Sequence, residues 1–422
     1  MADQEIPCPV NQEWLQELLN KKTGAKGRIS ATKSWKIAEA QGFLSKISRV
    51  QISCDEQNSR AKHRKDKHGL SPRRRHAIEH AILDGFDRSS AKSNLALGRL
   101  DLLPKSVIIK QPSAVKVETL EVDELNDFKN KDFIRMAHNR EVYAYKLFTS
   151  HGDPPFPMAP LFCALEDSDS QEGALILGDL KDGSATHKFN EFFTLGQVES
   201  LLLAMADLHA YSMKYYQEWK NDLDILGASF YDSAVRSVDQ NVPFLRETFP
   251  DQFRLTDQQI MQLTEFAAAK IECCKNPEKF DHPPVIVYCD LQPNNIFFKL
   301  AQDGVSLSDE LSAMVDMQIV HKGLAWEDIS YIILMHLHPN TRRGNENRLL
   351  QLYFDRLIGK LDNREKCFSL DYIKKGYQDF QKILMVTLIA MMKAFLAISN
   401  SKPTPENQFM VVLQSLIEDN KL

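Results

Sequence analysis

Residues 285–300 read VIVYCDLQPNNIFFKL: a short apolar run, a polar loop holding Asp290, Asn294 and Asn295, then a second apolar run. Short apolar runs flanked by turn-forming residues read as buried strands. On that ground alone the acid and the amides are ordinary turn formers. About 20 residues further on, AMVDMQIV (313–320) sets Asp316 inside what reads as an apolar strand. A buried carboxylate with no partner is strongly unfavourable, so this second acid calls for a metal ion or a strong hydrogen-bond network. The pattern suits phosphoryl transfer. Asp290 would take a hydroxyl proton, while Asn295, five positions later, and Asp316 would hold Mg2+ on nucleotide phosphates.

Upstream, SVIIKQP (106–112) reads as a strand carrying Lys110, and Phe133 to Phe148 as a helix carrying Glu141. A lysine ending an apolar strand needs an anionic partner, and Glu141 lies on a helix that would pack behind it. The plainer alternatives are a snorkelling lysine and a surface acid. Near the start, Trp14, Leu15, Leu18 and Leu19 share one helical face. Trp35 to Ser53 reads as a hairpin around Gly42. After a proline-rich break, strands are expected around 161–165 and 174–177. Thr194 with Gln197, and Thr256 with Gln259, form the capping-box pattern and open helices at about 195–215 and 257–275. Helices resume from Asp328. Strands therefore come first and helices second, with the suspected site early in the helical part and no internal repeat.

The totals narrow the class. At 422 residues two lobes are expected, and 43% hydrophobic with 26% charged residues is ordinary for a soluble globular chain. A net charge of −5 gives no overall attraction to nucleic acid or to an anionic membrane. Seven cysteines, with Cys273 and Cys274 adjacent and no CxxC, speak against a disulfide framework or a zinc site. The opening MADQEIPCPV lacks a signal-peptide pattern, and the apolar stretch Ile383–Ile398 is interrupted by Lys393, which suits a buried helix. The expectation is a cytoplasmic protein without a membrane partner. Residues 60–76 (RAKHRKDKHGLSPRRRH) carry eight Lys or Arg and one acid. They lie in a polar insertion at about 55–100, and no aromatics interleave the basic run itself, so a solvated loop is expected there and a nucleic-acid partner is not.

These pieces together carry a resemblance. YCDLQPNNIFF (288–298) resembles the HGDxxxxN loop of aminoglycoside- and choline-kinase-type small-molecule kinases, and VDMQIV resembles the IDFQ strand of the ecdysteroid kinase-like (CHK kinase-like) family. SVIIK resembles that family's lysine strand, HNREVYAY its glutamate helix and LILGDL (175–180) its hinge. MADLHAYS (205–212) and WEDISYII (326–333) resemble two further helices, so the likeness runs from about Trp14 to Phe395. It implies an α+β, two-lobed protein-kinase-like fold, with an antiparallel β N-lobe over 1–180 and a mainly helical C-lobe over 181–422. It also implies ATP and Mg2+ as cofactors and a small hydroxyl compound as substrate. Asp290 would be the base, and Asn295 and Asp316 the metal ligands. Lys110 would contact phosphates and pair with Glu141. Gly42 and Ser45 would cover the phosphates, and Gly178 and Leu180 would lie at the adenine hinge.

There are departures. Tyr288 and Cys289 stand where the family has His and Gly, and Gly178 replaces the hinge Glu. Two readings stay open: a kinase acting on an apolar, steroid-like or xenobiotic alcohol, and a nucleotide-binding scaffold without turnover. The apolar alcohol is suggested by Phe230, Tyr231, Phe244, Phe249 and Phe253, residues that would equally serve a core. His209, on an amphipathic helix, is expected to be a core histidine bracing the catalytic loop. Oligomeric state is left open.

Overall fold

The computed structural model describes residues 5–24, 28–37, 44–54, 103–113, 130–223, 226–280, 283–361 and 368–422, with the backbone alone for 5, 54 and 226–231. The first lobe contains β1 (Glu5–Ile6), α1 (Gln12–Thr23), β2 (Ile29–Lys36), β3 (Ser45–Cys54), β4 (Ser106–Pro112), α2 (Lys131–Thr149), β5 (Leu161–Leu165) and β6 (Ala174–Gly178). Its six strands form one sheet in the order β1-β2-β3-β4-β6-β5, antiparallel throughout.

Alternation along the strands divides the sheet's two faces. Val50, Ile52, Val107, Ile109 and Ile176 meet Leu15 and Leu19 of α1 in a small core. Trp14 and Leu18 flank it. On the other face Leu175 and Leu177 join the main core, and Lys110 has the same parity as Ile108, which packs there. α1 begins where the Asn11 side chain accepts from the amides of Glu13 and Trp14, at 2.8 and 3.1 Å. It stops at Gly24, whose φ of 69° only glycine adopts freely. α2 turns Ala137, Glu141, Ala144, Tyr145 and Phe148 inward at helical spacing.

The second part runs β7 (Ser184–Thr186), α3 (Leu195–Lys214), α4 (Tyr216–Trp219), α5 (Leu226–Thr248), α6 (Asp257–Lys275), β8 (Val285–Val287), β9 (Ile296–Leu300), β10 (Leu307–Met314) and β11 (His321–Gly323). It continues with α7 (Ala325–His336), α8 (Pro339–Arg343), α9 (Glu346–Lys360), α10 (Leu370–Ile398) and α11 (Gln408–Asp419). Thr194 and Thr256 both form the expected reciprocal capping boxes. Each such cap stabilises a helix by about 1 kcal/mol. The strands form a β10-β9-β7 sheet and a β11-β8 pair, so the loop from β8 to β9 bridges two small sheets. The fold is α+β and two-lobed, a protein-kinase-like arrangement.

Three expectations change. The β2–β3 hairpin begins at Ile29, and Gly42 at its turn lies outside the described residues. Asp316 does not interrupt a strand: β10 ends at Met314, and Asp316 sits in the following loop at φ 70°. Phe249 and Phe253 are sealed in the core, Phe244 is half-buried, and the side chains of Phe230 and Tyr231 lie outside the described set. The apolar stretch at 383–398 belongs to the 29-residue α10. By length and composition alone α10 could cross a membrane, but 67% of its most apolar window is buried in this protein, so it serves as a core helix.

Candidate active site

The antiparallel pairing of β4 with β3 and β6 fixes Lys110 opposite Ile47 and Leu175, with its side chain directed beneath the sheet. There its Nζ lies 2.6 Å from Glu141 Oε2 of α2 and 2.7 Å from Asp316 Oδ1. All three residues are buried. Arg140, next to Glu141, donates from its guanidinium to the Val320 carbonyl at 2.9 Å, tying α2 again to the segment that carries Asp316.

The loop from β8 to β9 closes in a single 3-10 turn over Pro293–Asn295. The Asn295 amide donates to Asp290 Oδ2 at 2.9 Å and to the Asp290 carbonyl at 3.2 Å, while its oxygen accepts from Asn294 at 3.1 Å. The Val315 amide donates to the Asn295 carbonyl at 3.0 Å, so the two acid-bearing loops are stitched together.

A residue in α7 shapes the catalytic-type loop. Asp328, 1% exposed, accepts from the backbone amides of Tyr288 and Cys289 at 2.7 and 2.9 Å. His209 stands 3.5 Å from the same carboxylate and 2.7 Å from the Tyr353 hydroxyl. His209 is a buried core histidine, as expected, but its Nε2 makes no hydrogen bond to Asp328, so a bracing of the loop through that carboxylate is not seen. Tyr288, fully buried, donates its hydroxyl to the Val315 carbonyl, so it braces the loop before Asp316. Cys289 takes φ 69°, a left-handed conformation that a non-glycine residue adopts only under constraint.

The electrostatics are unbalanced: Glu141, Asp290 and Asp316 face one ammonium. Burial, then the charge of Asp316, pushes Asp290 up to about 7. Burial does the same to Glu141, to about 7, although Lys110 opposes it. Burial draws Lys110 down, but its two carboxylate neighbours outweigh that and leave it above its ordinary value.

The remaining expected residues are spread around this centre. Ser45, 4% exposed, accepts from Gln318 Nε2 at 2.8 Å. The Gly178 amide already donates to the Pro160 carbonyl at 2.8 Å. A Cβ at Gly178 would stand 2.9 Å from Pro160 Cδ, which explains why no glutamate occupies this position. Leu180 is half-buried, and its carbonyl accepts the Ser184 hydroxyl at 2.6 Å. Between them Asp179 takes Arg49 and the Ser106 hydroxyl, both at 2.8 Å, and ties the hinge to β3 and β4. Arg140, Asp179, Gln318 and Asp328 were not anticipated. Only Asp328 had a readable signal, an acid in the apolar run WEDISYII.

A family model described as DUF1679, Uncharacterized oxidoreductase dhs-27, matches residues 101–419. The Uncharacterized kinase-like protein D1044.1 of Caenorhabditis elegans is 24% identical over 302 residues, which span 66% of this chain and 77% of that protein. The Uncharacterized oxidoreductase dhs-27 of the same organism is 23% identical over 281 residues; the match spans 63% of this chain but only 33% of that longer protein. The choline kinase of Cryptosporidium parvum Iowa II aligns over 97% of each chain at 11% identity, with a TM-score of 0.45 that bears on nothing further. On the family match, the chain belongs to the DUF1679 family, an ecdysteroid kinase-like family.

Proposed function

We propose that the protein is an ATP-dependent phosphotransferase whose acceptor is a hydroxyl of a small organic molecule. One observation carries this reading: Lys110 is held between Glu141 and Asp316, with Asp290 close enough for its ionisation to feel both Lys110 and Asp316. A structural ion pair has no need of a third acid beside it, half-buried at the edge of the site.

In this reading Lys110, oriented by Glu141, contacts the nucleotide phosphates. Asp290 orients the acceptor hydroxyl and takes its proton as the oxygen bonds to the γ-phosphorus and the bond to the ADP oxygen breaks. A base that titrates near 7 is well matched to neutral pH. Asn295 and Asp316 offer hard oxygen donors, and the excess of carboxylates over cations favours a divalent ion. Among the described residues no three His, Cys, Asp or Glu side chains converge into an all-protein cage, a pattern that fits Mg2+, which takes one or two carboxylates and completes its shell with phosphate and water. Bound there, Mg2+ would neutralise charge on the phosphates.

The acceptor is best taken as an uncharged, largely apolar alcohol, steroid-like or xenobiotic. Among the described residues of its own loop and of α7, the half-buried ones near Asp290 are Cys289, Gln292, Asn294 and Tyr331, none of them a carboxylate suited to a polycation. The oxidoreductase label belongs to a relative of which this chain covers a third. Among the described residues the strands pair antiparallel throughout and the one parallel contact is an isolated bridge between Met158 and Met314, so these residues form no parallel βαβ crevice for a dinucleotide. A scaffold without turnover is the second reading, favoured by Tyr288, Cys289 and Gly178 standing where the resemblance expects His, Gly and Glu.

Mass spectrometry of metabolite extracts incubated with protein, ATP and Mg2+ should reveal a phosphate mass gain in an alcohol. Asp290→Asn should still bind nucleotide in a thermal-shift titration but transfer at least about a hundredfold more slowly. Equal inertness of both proteins across a panel of sterols and other alcohols would sink the transferase reading and leave the scaffold.

A further inference from the structure

Helix α7, which carries Asp328, is sealed along its length except at one place. Eleven of its twelve residues are buried, and Tyr331 alone is half-buried. Its phenol oxygen accepts from Gln292 Nε2 at 3.1 Å. The loop shows one edge to the same opening: Asp290, Gln292 and Asn294 are half-buried, whereas Leu291, Pro293 and Asn295 between them are buried. His336 holds ring and loop together, with its ring edge-on to Tyr331 at 5.8 Å and its Nε2 donating to the Leu291 carbonyl at 2.7 Å. Burial, then the charge of Asp290, keeps the phenol protonated far above neutrality. Because Gln292 supplies the donor in their hydrogen bond, the tyrosine's own O–H is left to donate elsewhere.

We propose that Tyr331, oriented by Gln292, is the acceptor-binding residue beside Asp290: its ring forms the wall on which the acceptor lies, and its hydroxyl fixes the acceptor's orientation. The assignment rests on the phosphotransferase reading for the kind of ligand it names, while the wall itself rests on the geometry. No covalent step passes through Tyr331; the proton leaves the acceptor for Asp290, and the phosphoryl group passes from ATP to the acceptor oxygen. A side chain that only filled space would have no reason to be the single accessible member of a buried helix and to hold an amide two residues from the base.

The test uses the full chain with ADP and Mg2+, and isothermal titration with two probes, 2-naphthylethanol (an uncharged alcohol on a ring) and choline. Wild type should bind 2-naphthylethanol in preference to choline. Tyr331→Ala should weaken that binding at least about tenfold, whereas Tyr331→Phe, which keeps the ring, should stay within about threefold. ADP affinity should be the same in all three proteins, a readout that general loosening of the fold would move. Should Tyr331→Ala fail to fold by circular dichroism, Tyr331→Leu, similar in bulk but without a ring, takes its place. Equal binding of choline, full-strength binding by the Ala or Leu variant, ADP affinity falling in parallel, or no binding by wild type at millimolar probe each overturns the assignment. Ring-dependent binding with no transfer from ATP keeps the wall and sinks the transferase; transfer that ignores Tyr331 does the reverse.

Discussion

Two buried cations in this molecule are surrounded by acids, and they are surrounded differently. Arg342, 1% exposed, bonds Glu346, Asp419 and the Ser415 hydroxyl, while Tyr377 donates to Glu346 at 2.7 Å. The cluster pins α8, α9, α10 and α11 together. Its carboxylates keep contact with water, at 26% and 23% side-chain exposure. Around Lys110 the partners are dry, at 0% for Glu141 and 10% for Asp316, and a third acid stands nearby. The first cluster can settle its charges locally and with solvent. The second gathers three acids around one sealed ammonium, and burial, with the charge of Asp316 added, raises two of them to about 7. Burial of charge alone marks neither as functional; the imbalance distinguishes the site.

The widest separation between the two clusters should appear in a pair of variants. Lys110→Met should lower phosphate transfer at least about a hundredfold, because a preorganised cation on the phosphates is lost. Arg342→Met should leave transfer per folded molecule near wild type yet reduce unfolding free energy by about 3 kcal/mol, since it leaves two partly buried carboxylates without their shared cation. Urea denaturation beside a turnover assay reads both, and a turnover defect in Arg342→Met at unchanged stability would erase the distinction.

A smaller effect probes a buried group with no charged partner. His336 is held neutral, with burial drawing it down to about 4 from 6.5. The folded state therefore binds fewer protons than the unfolded one in that window. Stability from this group is full above about 6.5 and is lost as pH falls towards 4, by about 3 kcal/mol in all. Urea midpoints at both ends of the window should show that loss in wild type, and His336→Gln should lack it. Equal acid sensitivity of the two proteins would place the titrating group elsewhere. The smallest effect belongs to Cys289→Gly, which relieves the left-handed backbone at φ 69° and should stabilise by about 1 kcal/mol or less. A lower melting temperature in that variant would mean that sulfur packing outweighs backbone relief.

Periodicity and capping carried much of the fold. The face of α1, the boxes at Thr194 and Thr256, and the strands on either side of Asp290 all lie where their local patterns place them. The pairing of Lys110 with Glu141 was readable because a strand-end lysine needs a counter-charge. Asp316 was misread as part of a strand because an apolar run does not reveal where a ladder ends; here a left-handed residue ends it. Gln318 with Ser45 was out of reach for another reason: 273 positions separate them, and neither has a local pattern that names the other. Tyr331 was hidden similarly, since a tyrosine on an apolar helix looks like core until the exposure of its neighbours is known. The phenylalanines offered for the acceptor pocket show the converse, because core and pocket use the same side chains.

The carboxylate of Asp328 has a consequence for what a substitution at the corner before Asp290 can do. It writes the shape of the Tyr288–Cys289–Asp290 corner from a helix about 40 residues downstream, through backbone amides that every residue except proline possesses. A side-chain change at position 288 or 289 leaves those two bonds in place and removes only what the side chain itself adds, which at Tyr288 is the bond to the Val315 carbonyl.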